Sequence, residues 1–424
     1  MLTSHFCVTA VTRLLRPAAL LLLLAVAACA VPRLDPAAPP TEALDFAAPP
    51  KDALAFDDAV DRLTVSLFAR ARYEPAGTGP RTLVIDPLID RNTGNQAIAT
   101  RSMERRMAEI VRSRFPAITP GPFNAQSLAA HPLLLVGSIT PVAAPGVIPT
   151  TSAPSQTYRI WAAVADLRTN RIISHETAWI RADGVDMTPT PFFQDSPAWL
   201  ADGTKAAYIK TCAGNPGDPV DPSYLSGLQV AATLADGINA YEAGRYSDAL
   251  ALYASAAAQP SGDQLRSYNG LYLSYAKLGR SAEAEDAFGQ AVEYGLRKGK
   301  LAVKFVFLPN TTRFWPDRQV SGQYPMWLRQ IAARTSGQAA CLRMVGHTSP
   351  TGSVPLNQAL SDRRAQFIRM QLVSRSAMLA PRTDAVGRGS SEPLVGSGRD
   401  DATDVLDRRV EFEPRSCEMT TAMR

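Results

Sequence analysis

The stretch that most constrains the fold lies near the carboxyl end of the chain, where apolar runs of strand length alternate with helical patterns. The predicted elements, in chain order, are a strand at 301–308, a helix at 324–334, a strand at 339–345, a helix at 360–373, a strand at 385–387 and a strand at 409–413. Strands that alternate with helices are typical of a layered βαβαβ arrangement. We therefore expect residues 297–424 to form one α/β domain.

Three blocks within this domain resemble, in the same order, the OmpA C-terminal-like domain by which Gram-negative outer-membrane proteins hold peptidoglycan. The blocks are Cys341–Ser353, which contains Gly-His-Thr-Ser, then Asn357–Ala365 and Leu406–Glu413. The resemblance implies that the domain binds peptidoglycan through a stem peptide of the diaminopimelate type.

Such a stem peptide offers an ammonium and a carboxylate on one carbon, so its receptor needs one acid and one base held close together. In the family, the acid follows Gly-His-Thr and the base is the arginine before Ala in a Leu-Ser-x-x-Arg-Ala helix. These positions are Ser349 and Arg364 in this chain. The base is present, whereas a hydroxyl replaces the acid and loses the ion pair. That loss corresponds to about 1.5 to 3 kcal/mol, or roughly a tenfold to hundredfold weaker affinity.

Other polar residues border the ligand cleft of this fold and are candidates to compensate for the missing acid. The candidate peptidoglycan-binding residues implied by the resemblance are Thr348, Ser349, Asn357, Arg364 and Arg408, with Asp400 and Asp401 nearby. We expect His347, a lone histidine at a strand end, to be structural rather than a titrating switch. Arg363 should point into solvent, because adjacent helical residues do not share a face.

The first 28 residues have the pattern of a signal peptide. Arg13 and Arg16 precede an apolar run at 18–28 that is too short to favour a spanning helix. The small residues before Cys29 resemble a lipoprotein signal. This resemblance implies that Cys29 is acylated and, because Ala30 follows it, that the protein is anchored in the outer membrane and faces the periplasm. The alternative is an ordinary signal peptide followed by an accidental cysteine.

Residues 29–51 are rich in proline and alanine and predict an extended linker, after which residues 52–222 predict a periplasmic α/β domain. Its predicted elements are a helix marked by Phe56, Val60, Leu63 and Leu67, a strand at 82–90, a helix marked by Met103, Met107, Ile110 and Val111, a strand at 133–139, a hairpin of 158–166 and 171–180, and a loop-rich exit at 197–222. This order and the phrase at 84–94 resemble the periplasmic domain of lipoproteins that activate penicillin-binding proteins. An unrelated small α/β domain is the alternative.

Residues 223–296 predict paired helices, because the sequence repeats itself after 35 residues. Gly244, Ala249, Tyr253 and Ala256 recur as Gly279, Ala284, Phe288 and Ala291. Small residues that let helices approach, with aromatic rings between them, resemble tetratricopeptide repeats. We expect these two units to lean on a neighbouring domain and to serve as a rigid spacer or a peptide-binding surface. A protein partner is therefore expected to bind within residues 52–296.

Three cysteines remain after Cys7 is removed with the signal peptide and Cys29 carries lipid. Cys341 and Cys417 fall at the ends of two predicted strands of one domain, so they form a candidate disulfide in an oxidising periplasm. Free buried thiols are the alternative, because sequence cannot fix the geometry that a disulfide needs. Cys212 is left over.

Composition and motifs argue against several classes of function. The formal net charge is +5, and removing Arg13 and Arg16 leaves +3 with no basic block, so nucleic-acid binding is not expected. The chain has no phosphate-binding glycine loop, no nucleophile elbow and no paired-cysteine metal motif. Its four histidines are scattered. We therefore expect no enzymatic activity, no cofactor and no metal.

The sequence thus predicts a multidomain outer-membrane lipoprotein that binds peptidoglycan and links the membrane to the cell wall or to envelope partners. The alternative, motivated by Ser349, is a periplasmic adaptor whose final domain has lost ligand binding. A cell-wall hydrolase has no catalytic residues to support it.

Overall fold

The computed structural model describes residues 53–73, 79–142, 157–201, 203–308, 310–338, 341–395 and 403–417. The predicted signal peptide, the predicted lipidation site Cys29, the predicted linker at 29–51 and the pair Asp400 and Asp401 lie outside these residues. All described residues belong to one contact-connected unit, Phe46–Arg424. Within them, no helix is both long enough and apolar enough to cross a bilayer.

The first part of the chain builds a mixed sheet with helices on both faces. Its elements are α1 Phe56–Arg70, β1 Arg81–Ile85, β2 Ile89–Asp90, α2 Ile98–Arg114, β3 Ile118–Gly121, α3 Ala125–Ala129, β4 Leu133–Val142, β5 Thr157–Asp166 and β6 Arg171–Arg181. The strand order is β3-β1-β4-β5-β6, with β2 paired to β4. Strands β1, β3 and β4 run parallel, and β4, β5 and β6 run antiparallel. The predicted α/β class is confirmed.

The single strand predicted at 82–90 is divided into β1 and β2. Pro87 lies between them and has no amide hydrogen to donate to a ladder. Around this break the Asp86 amide donates to the Leu135 carbonyl at 3.0 Å, and the Arg91 amide donates to the Ile139 carbonyl at 2.9 Å. Both parts therefore stay attached to β4, while the segment between them turns out of the sheet.

The middle of the chain is helical from residue 191 onward, with one short strand. Its elements are α4 Pro191–Asp195, β7 Ala198–Trp199, α5 Gly203–Cys212, α6 Pro222–Glu242, α7 Tyr246–Ala257, α8 Leu265–Lys277 and α9 Ser281–Arg297. The exit predicted as loop-rich therefore contains β7 and α5. Helix α6 packs on the first sheet through Tyr224 and Leu228, and on the other helices through Leu234 and Ile238. The two regions that meet at residue 222 thus share a core helix.

The 35-residue repeat corresponds to two similar helical hairpins. Gly244 and Gly279, which follow α6 and α8, have φ of +75° and +73°, a left-handed conformation that suits glycine. Tyr253 is fully buried, and a Cβ at Gly270 would lie 2.3 Å from its ring, so the glycine makes room for the tyrosine. At the equivalent position, the Phe288 ring stacks on Trp327 at 5.5 Å, outside the helical region. The second hairpin therefore leans on the carboxyl-terminal part of the chain.

The second sheet has the order β10-β9-β11-β8-β7. Its further elements are β8 Leu301–Val303, α10 Arg318–Ser321, α11 Tyr324–Ser336, β9 Cys341–Gly346, α12 Val354–Val373, β10 Thr383–Gly387 and β11 Val410–Arg415. Strands β9 and β10 are parallel, and the other neighbours are antiparallel. The edge strand β7 comes from the middle of the chain. One apolar cluster extends from Phe192 to Phe412 and joins the helical region to this sheet.

The strand predicted at 301–308 pairs within the second sheet only as far as Val303, and Phe307 forms an isolated bridge with Phe314. Beyond Val303, the Lys304 ammonium is buried and donates to the carbonyls of Phe193 at 3.0 Å and Gln194 at 2.9 Å. Phe305 then stacks with Phe314 at 5.8 Å. These contacts draw the chain away from the ladder and toward α4 and α11.

Candidate functional site

The residues predicted to bind peptidoglycan lie around the loop that follows β9 and the helix that comes after it. Thr348 and Ser349 are in the loop, Asn357 is in the first turn of α12, and Arg364 is two turns later on the same helix. The rise of an α-helix separates Asn357 and Arg364 by roughly 10 Å along one face. We call residues 347–353 together with the amino-terminal half of α12 the loop edge.

Two glycines position α12 at the ends of the parallel strands β9 and β10. A Cβ at Gly346 would lie 2.2 Å from the Ser361 carbonyl oxygen, and a Cβ at Gly387 would lie 2.4 Å from the Asp362 amide nitrogen. The helix therefore approaches the strands more closely than a side chain would allow. The Gly389 amide donates to Ser361 Oγ at 2.8 Å and fixes this contact. This close packing sets Asn357 and Arg364 beside the loop.

Asn357 holds the loop in place. Its side-chain amide donates to the Thr351 carbonyl at 3.0 Å and to the Ser349 carbonyl at 3.4 Å. The Thr348 amide donates to the Gly389 carbonyl at 2.9 Å. Thr348, Ser349 and Asn357 are each no more than 5% exposed, so these three predicted residues come together as a buried, hydrogen-bonded loop.

Arg364 is also buried, and its guanidinium is held by the turn that follows residue 307. Nε donates to the Thr311 carbonyl at 3.1 Å and Nη2 donates to the Leu308 carbonyl at 3.3 Å. The guanidinium carbon lies 4.8 Å from the centre of the Phe307 ring, a cation–π contact. The turn at 308–311 therefore covers the base that the sequence assigns to the ligand.

Arg408 lies in the turn before β11 and is partly buried. The His347 amide donates to the Arg409 carbonyl at 2.9 Å, so this turn runs beside the loop edge. The neighbouring Asp407 is fully buried, and its Oδ1 accepts the amides of Leu394 at 2.6 Å and Val395 at 2.9 Å. Asp407 therefore fixes the backbone of the segment that precedes it.

A buried ion cluster under the loop edge was not predicted from the sequence. Glu411 is 1% exposed, and its carboxylate lies 2.7 Å from Arg409 Nε, 2.7 Å from Lys300 Nζ and 3.3 Å from His347 Nε2. Burial raises the pKa of Glu411, but His347 and the charges of Arg409 and Lys300 outweigh that effect and hold the pKa well below its ordinary value. Burial lowers the pKa of His347 despite this carboxylate. The sequence signal is a pair of opposite charges two positions apart on a predicted strand.

The cysteines lie away from the loop edge. Cys341, at the start of β9, forms a disulfide with Cys417, which follows β11, and their Cα atoms are 5.0 Å apart. Cys212 is a free, buried thiol in α5, and burial raises its pKa to about 12. Among the described residues, no group of histidines, cysteines and carboxylates is arranged to hold a metal ion.

Comparison with known proteins gives partial likenesses. No family model matches the chain. Outer membrane porin F of Pseudomonas aeruginosa is 38% identical over 68 residues, which are 16% of this chain and 19% of the porin. The chain thus spans about a fifth of that relative's length.

Solved structures give further likenesses to about a quarter of this chain. The peptidoglycan-associated lipoprotein of Burkholderia pseudomallei is 25% identical, with 27% of this chain and 89% of that chain covered and a TM-score of 0.23. The cell wall anchor of the T6SS from Pseudomonas aeruginosa is 22% identical, with 27% and 78% covered and a TM-score of 0.22. The periplasmic domain of Helicobacter pylori MotB is 14% identical, with 28% and 75% covered and a TM-score of 0.24. TM-scores this low support no conclusion about function.

Proposed function

We propose that this protein binds peptidoglycan non-covalently at the loop edge and links the outer membrane, through a lipid on Cys29, to the cell wall. The observation that carries the proposal is that α12 bears both Asn357, which is hydrogen-bonded to the loop carbonyls of Ser349 and Thr351, and Arg364 two turns later. The match to outer membrane porin F supports the outer-membrane part of this proposal.

Arg364 supplies the base that recognises a stem-peptide carboxylate. A planar guanidinium pairs with a carboxylate in a bidentate geometry, and the two hydrogen bonds are charge-assisted. The carboxylate competes with the Leu308 and Thr311 carbonyls that now accept from Arg364. Because an ionised carboxylate is a stronger acceptor for a guanidinium than a neutral carbonyl is, the ligand displaces the Leu308 and Thr311 carbonyls.

Ser349 and the loop carbonyls receive the ammonium group of the ligand. A neutral hydroxyl is a weaker acceptor than a carboxylate, so we expect a binding protein of moderate affinity. A surface of peptidoglycan presents many identical stem peptides, and the lipid anchor keeps the protein close to them. The effective concentration at the wall then compensates for a modest single-site affinity.

Sedimentation with purified sacculi tests the proposal. We expect the full chain to be retained on sacculi and Arg364→Ala to bind about tenfold to hundredfold more weakly, because a charge-assisted pair is lost. Arg363→Ala is the matched control. Arg363 is exposed, and its replacement removes the same charge from the adjacent position. No retention of the full chain, or equal retention of both variants with native thermal stability, would refute the proposal.

A second candidate is an envelope adaptor in which the loop edge no longer binds ligand. Two features favour this candidate. Arg364 is buried and donates to the protein's own carbonyls at Leu308 and Thr311, and Ser349 stands where the family has an acid. Ser349→Asp separates the two: a large gain from negligible retention supports the adaptor, whereas wild-type retention that changes little supports a functional site.

In either case, we propose that residues 52–296 bind a protein partner or act as a spacer. We propose no catalytic role, and release of muropeptides from sacculi would contradict that.

A further inference from the structure

A cavity of about 490 Å³ lies between the first sheet and the helical region, and none of the five predicted peptidoglycan-binding residues lines it. The turn between β1 and β2 and the helices α5, α6 and α8 form its walls. This volume is in the range of small-molecule sites. Two sets of its polar groups differ in character, and the polar side chains of Thr204, Lys205, Ser223, Asp263 and Lys298 also line it.

The first set consists of two buried acceptors without enough donors. Gln96 is 1% exposed, and its Oε1 has no hydrogen-bond partner within the described ranges. Its Nε2 donates to Glu104 Oε1 at 3.3 Å, which fixes the orientation of the amide. Asp86 is 6% exposed and accepts at Oδ2 from the Tyr224 hydroxyl, while Oδ1 accepts no bond from the described residues. An unmet buried acceptor is costly, so this end of the cavity favours a group rich in donors.

An ammonium is the donor group that fits both acceptors best. It carries three donors and a positive charge, whereas a hydroxyl carries one donor and no charge. Burial raises the pKa of Asp86 to about 7, although the Tyr224 hydrogen bond and the charge of Arg266 oppose this. A cation bound beside Asp86 relieves the cost of ionising it.

The second set is the guanidinium of Arg266, which also lines the cavity. Nη2 donates to the Gly94 carbonyl at 2.9 Å, and the guanidinium carbon lies 5.7 Å from the Phe193 ring centre. Within the described ranges no carboxylate lies at salt-bridge distance from this guanidinium, although its charge acts on Asp86 across the cavity. An arginine without a contact ion pair in a partly enclosed site favours an anionic group, and a carboxylate matches its planar geometry.

Part of the remaining wall is apolar. Ile89, Leu200, Leu234 and Ile238 line the cavity between the polar groups. These side chains favour a ligand with an aliphatic portion, because apolar contact area contributes to small-molecule binding.

We propose that this cavity binds a small zwitterion of amino-acid or dipeptide size, with its ammonium on Asp86 and Gln96 and its carboxylate on Arg266. The site is separate from the loop edge. It would make the middle of the chain a receptor for a soluble ligand, in addition to any role in holding peptidoglycan.

Calorimetric titration of the full chain with the dipeptide alanyl-leucine at pH 7, where the α-amino group of the dipeptide is largely protonated, tests this inference. We expect saturable binding that weakens at least about tenfold for the N-acetylated and C-amidated dipeptides, because each loses one charged contact. Asp86→Asn and Gln96→Leu should weaken binding of the free dipeptide similarly. Arg266→Gln should weaken binding of the free dipeptide more than binding of the C-amidated dipeptide, because the C-amidated form lacks the carboxylate that Arg266 binds.

Asp248→Asn is the matched control, since Asp248 is an exposed aspartate on α7 that does not line the cavity. Thermal unfolding of each variant establishes that it is folded. Absence of binding by the free dipeptide overturns the proposal, as does equal binding by the N-acetylated form or by Asp86→Asn. Sacculus retention of Asp86→Asn should equal that of the wild type, so failure here is distinguishable from failure of the peptidoglycan proposal.

Discussion

Two buried carboxylates, Asp86 near the first sheet and Glu411 in the second, are placed in opposite electrostatic settings. Glu411 lies within 3.3 Å of Arg409, Lys300 and His347, and its pKa is lowered. Asp86 has one hydroxyl partner beside an open cavity, and burial raises its pKa to about 7. A carboxylate whose charge is already matched by the protein stabilises the fold, whereas one whose charge is unmatched is available for a ligand.

The same contrast distinguishes the two candidate binding regions. At the loop edge, where the family resemblance is strongest, Asn357 and Arg364 donate to backbone carbonyls of the protein itself. At the cavity, which no motif indicates, Gln96 Oε1 has no partner among the described residues. The first region is thus proposed from a sequence resemblance, whereas the second is proposed from unsatisfied polar atoms.

The largest expected effect concerns Asp86. Because its pKa rises from 3.8 to about 7 in the folded state, ionising it costs the fold on the order of 4 kcal/mol. The stability gained from the bound proton is present below about pH 4 and is lost as the pH rises through 7. We expect the wild type, relative to Asp86→Asn, to lose this free energy of unfolding between pH 4 and pH 8.

Urea denaturation of both proteins at pH 4, 6 and 8 measures this difference. The exposed Asp248→Asn variant should follow the wild type at every pH. A free-energy difference between wild type and Asp86→Asn that stays constant with pH would show that Asp86 ionises normally, and the contrast with Glu411 would then fail.

Glu411→Gln should have the next largest effect and the opposite pH dependence. Removing one partner of a buried ion cluster costs about 3 kcal/mol at pH 7, because the charges of Arg409 and Lys300 lose their counter-ion. The folded pKa is lowered, so the contribution of Glu411 is present above its ordinary value of 4.5 and is lost as the pH falls below it. The difference in free energy of unfolding between the wild type and Glu411→Gln should therefore be smaller at pH 3 than at pH 7 in denaturation curves.

Glu413→Gln is the control for this prediction. Glu413 lies two residues further along β11, and its carboxylate is 35% exposed and 4.0 Å from Lys300 Nζ, so its replacement should cost far less. If Glu411→Gln and Glu413→Gln lowered the free energy of unfolding equally, the buried ion cluster around Glu411 would not contribute the stability expected of it.

The smallest expected effect comes from Tyr224→Phe, which removes the hydroxyl that donates to Asp86. We expect the free energy of unfolding to fall by about 1 kcal/mol. We also expect the pKa of Asp86 to rise further, because the bond from Tyr224 stabilises the ionised carboxylate and is missing in the variant. The pH at which stability falls should therefore move upward in denaturation curves. Tyr268→Phe, which loses a bond to the exposed Asp263, should leave that pH unchanged. No movement for Tyr224→Phe would show that this bond does not tune Asp86.

The sequence predicts most of the second sheet because its elements are continuous and periodic. The helix that carries Arg364 and the strands at 341–346 and 410–415 lie where apolar patterns and the family motif indicate them. Strand β7 was not predicted, since two residues at 198–199 carry no periodic signal and pair only because α4 and Lys304 bring them to β8.

Neither the ion cluster nor the cavity could be predicted in the same way. Lys300 and Glu411 are 111 positions apart and meet only after β8 and β11 pair. Asp86 and Gln96 come from the connections after β1 and β2, Arg266 comes from α8, and no local pattern relates them. Such sites depend on tertiary contacts between segments whose individual sequences look like ordinary helix and strand ends.

The central claim is that Arg364 at the loop edge binds peptidoglycan, and a binding isotherm on purified sacculi at pH 7 tests it most directly. We expect saturable retention of the full chain, an affinity about tenfold or more weaker for Arg364→Ala, and wild-type binding for Arg363→Ala and Asp86→Asn. Retention that Arg364→Ala leaves intact, or that Asp86→Asn abolishes, would contradict the assignment of peptidoglycan to this edge of the second sheet.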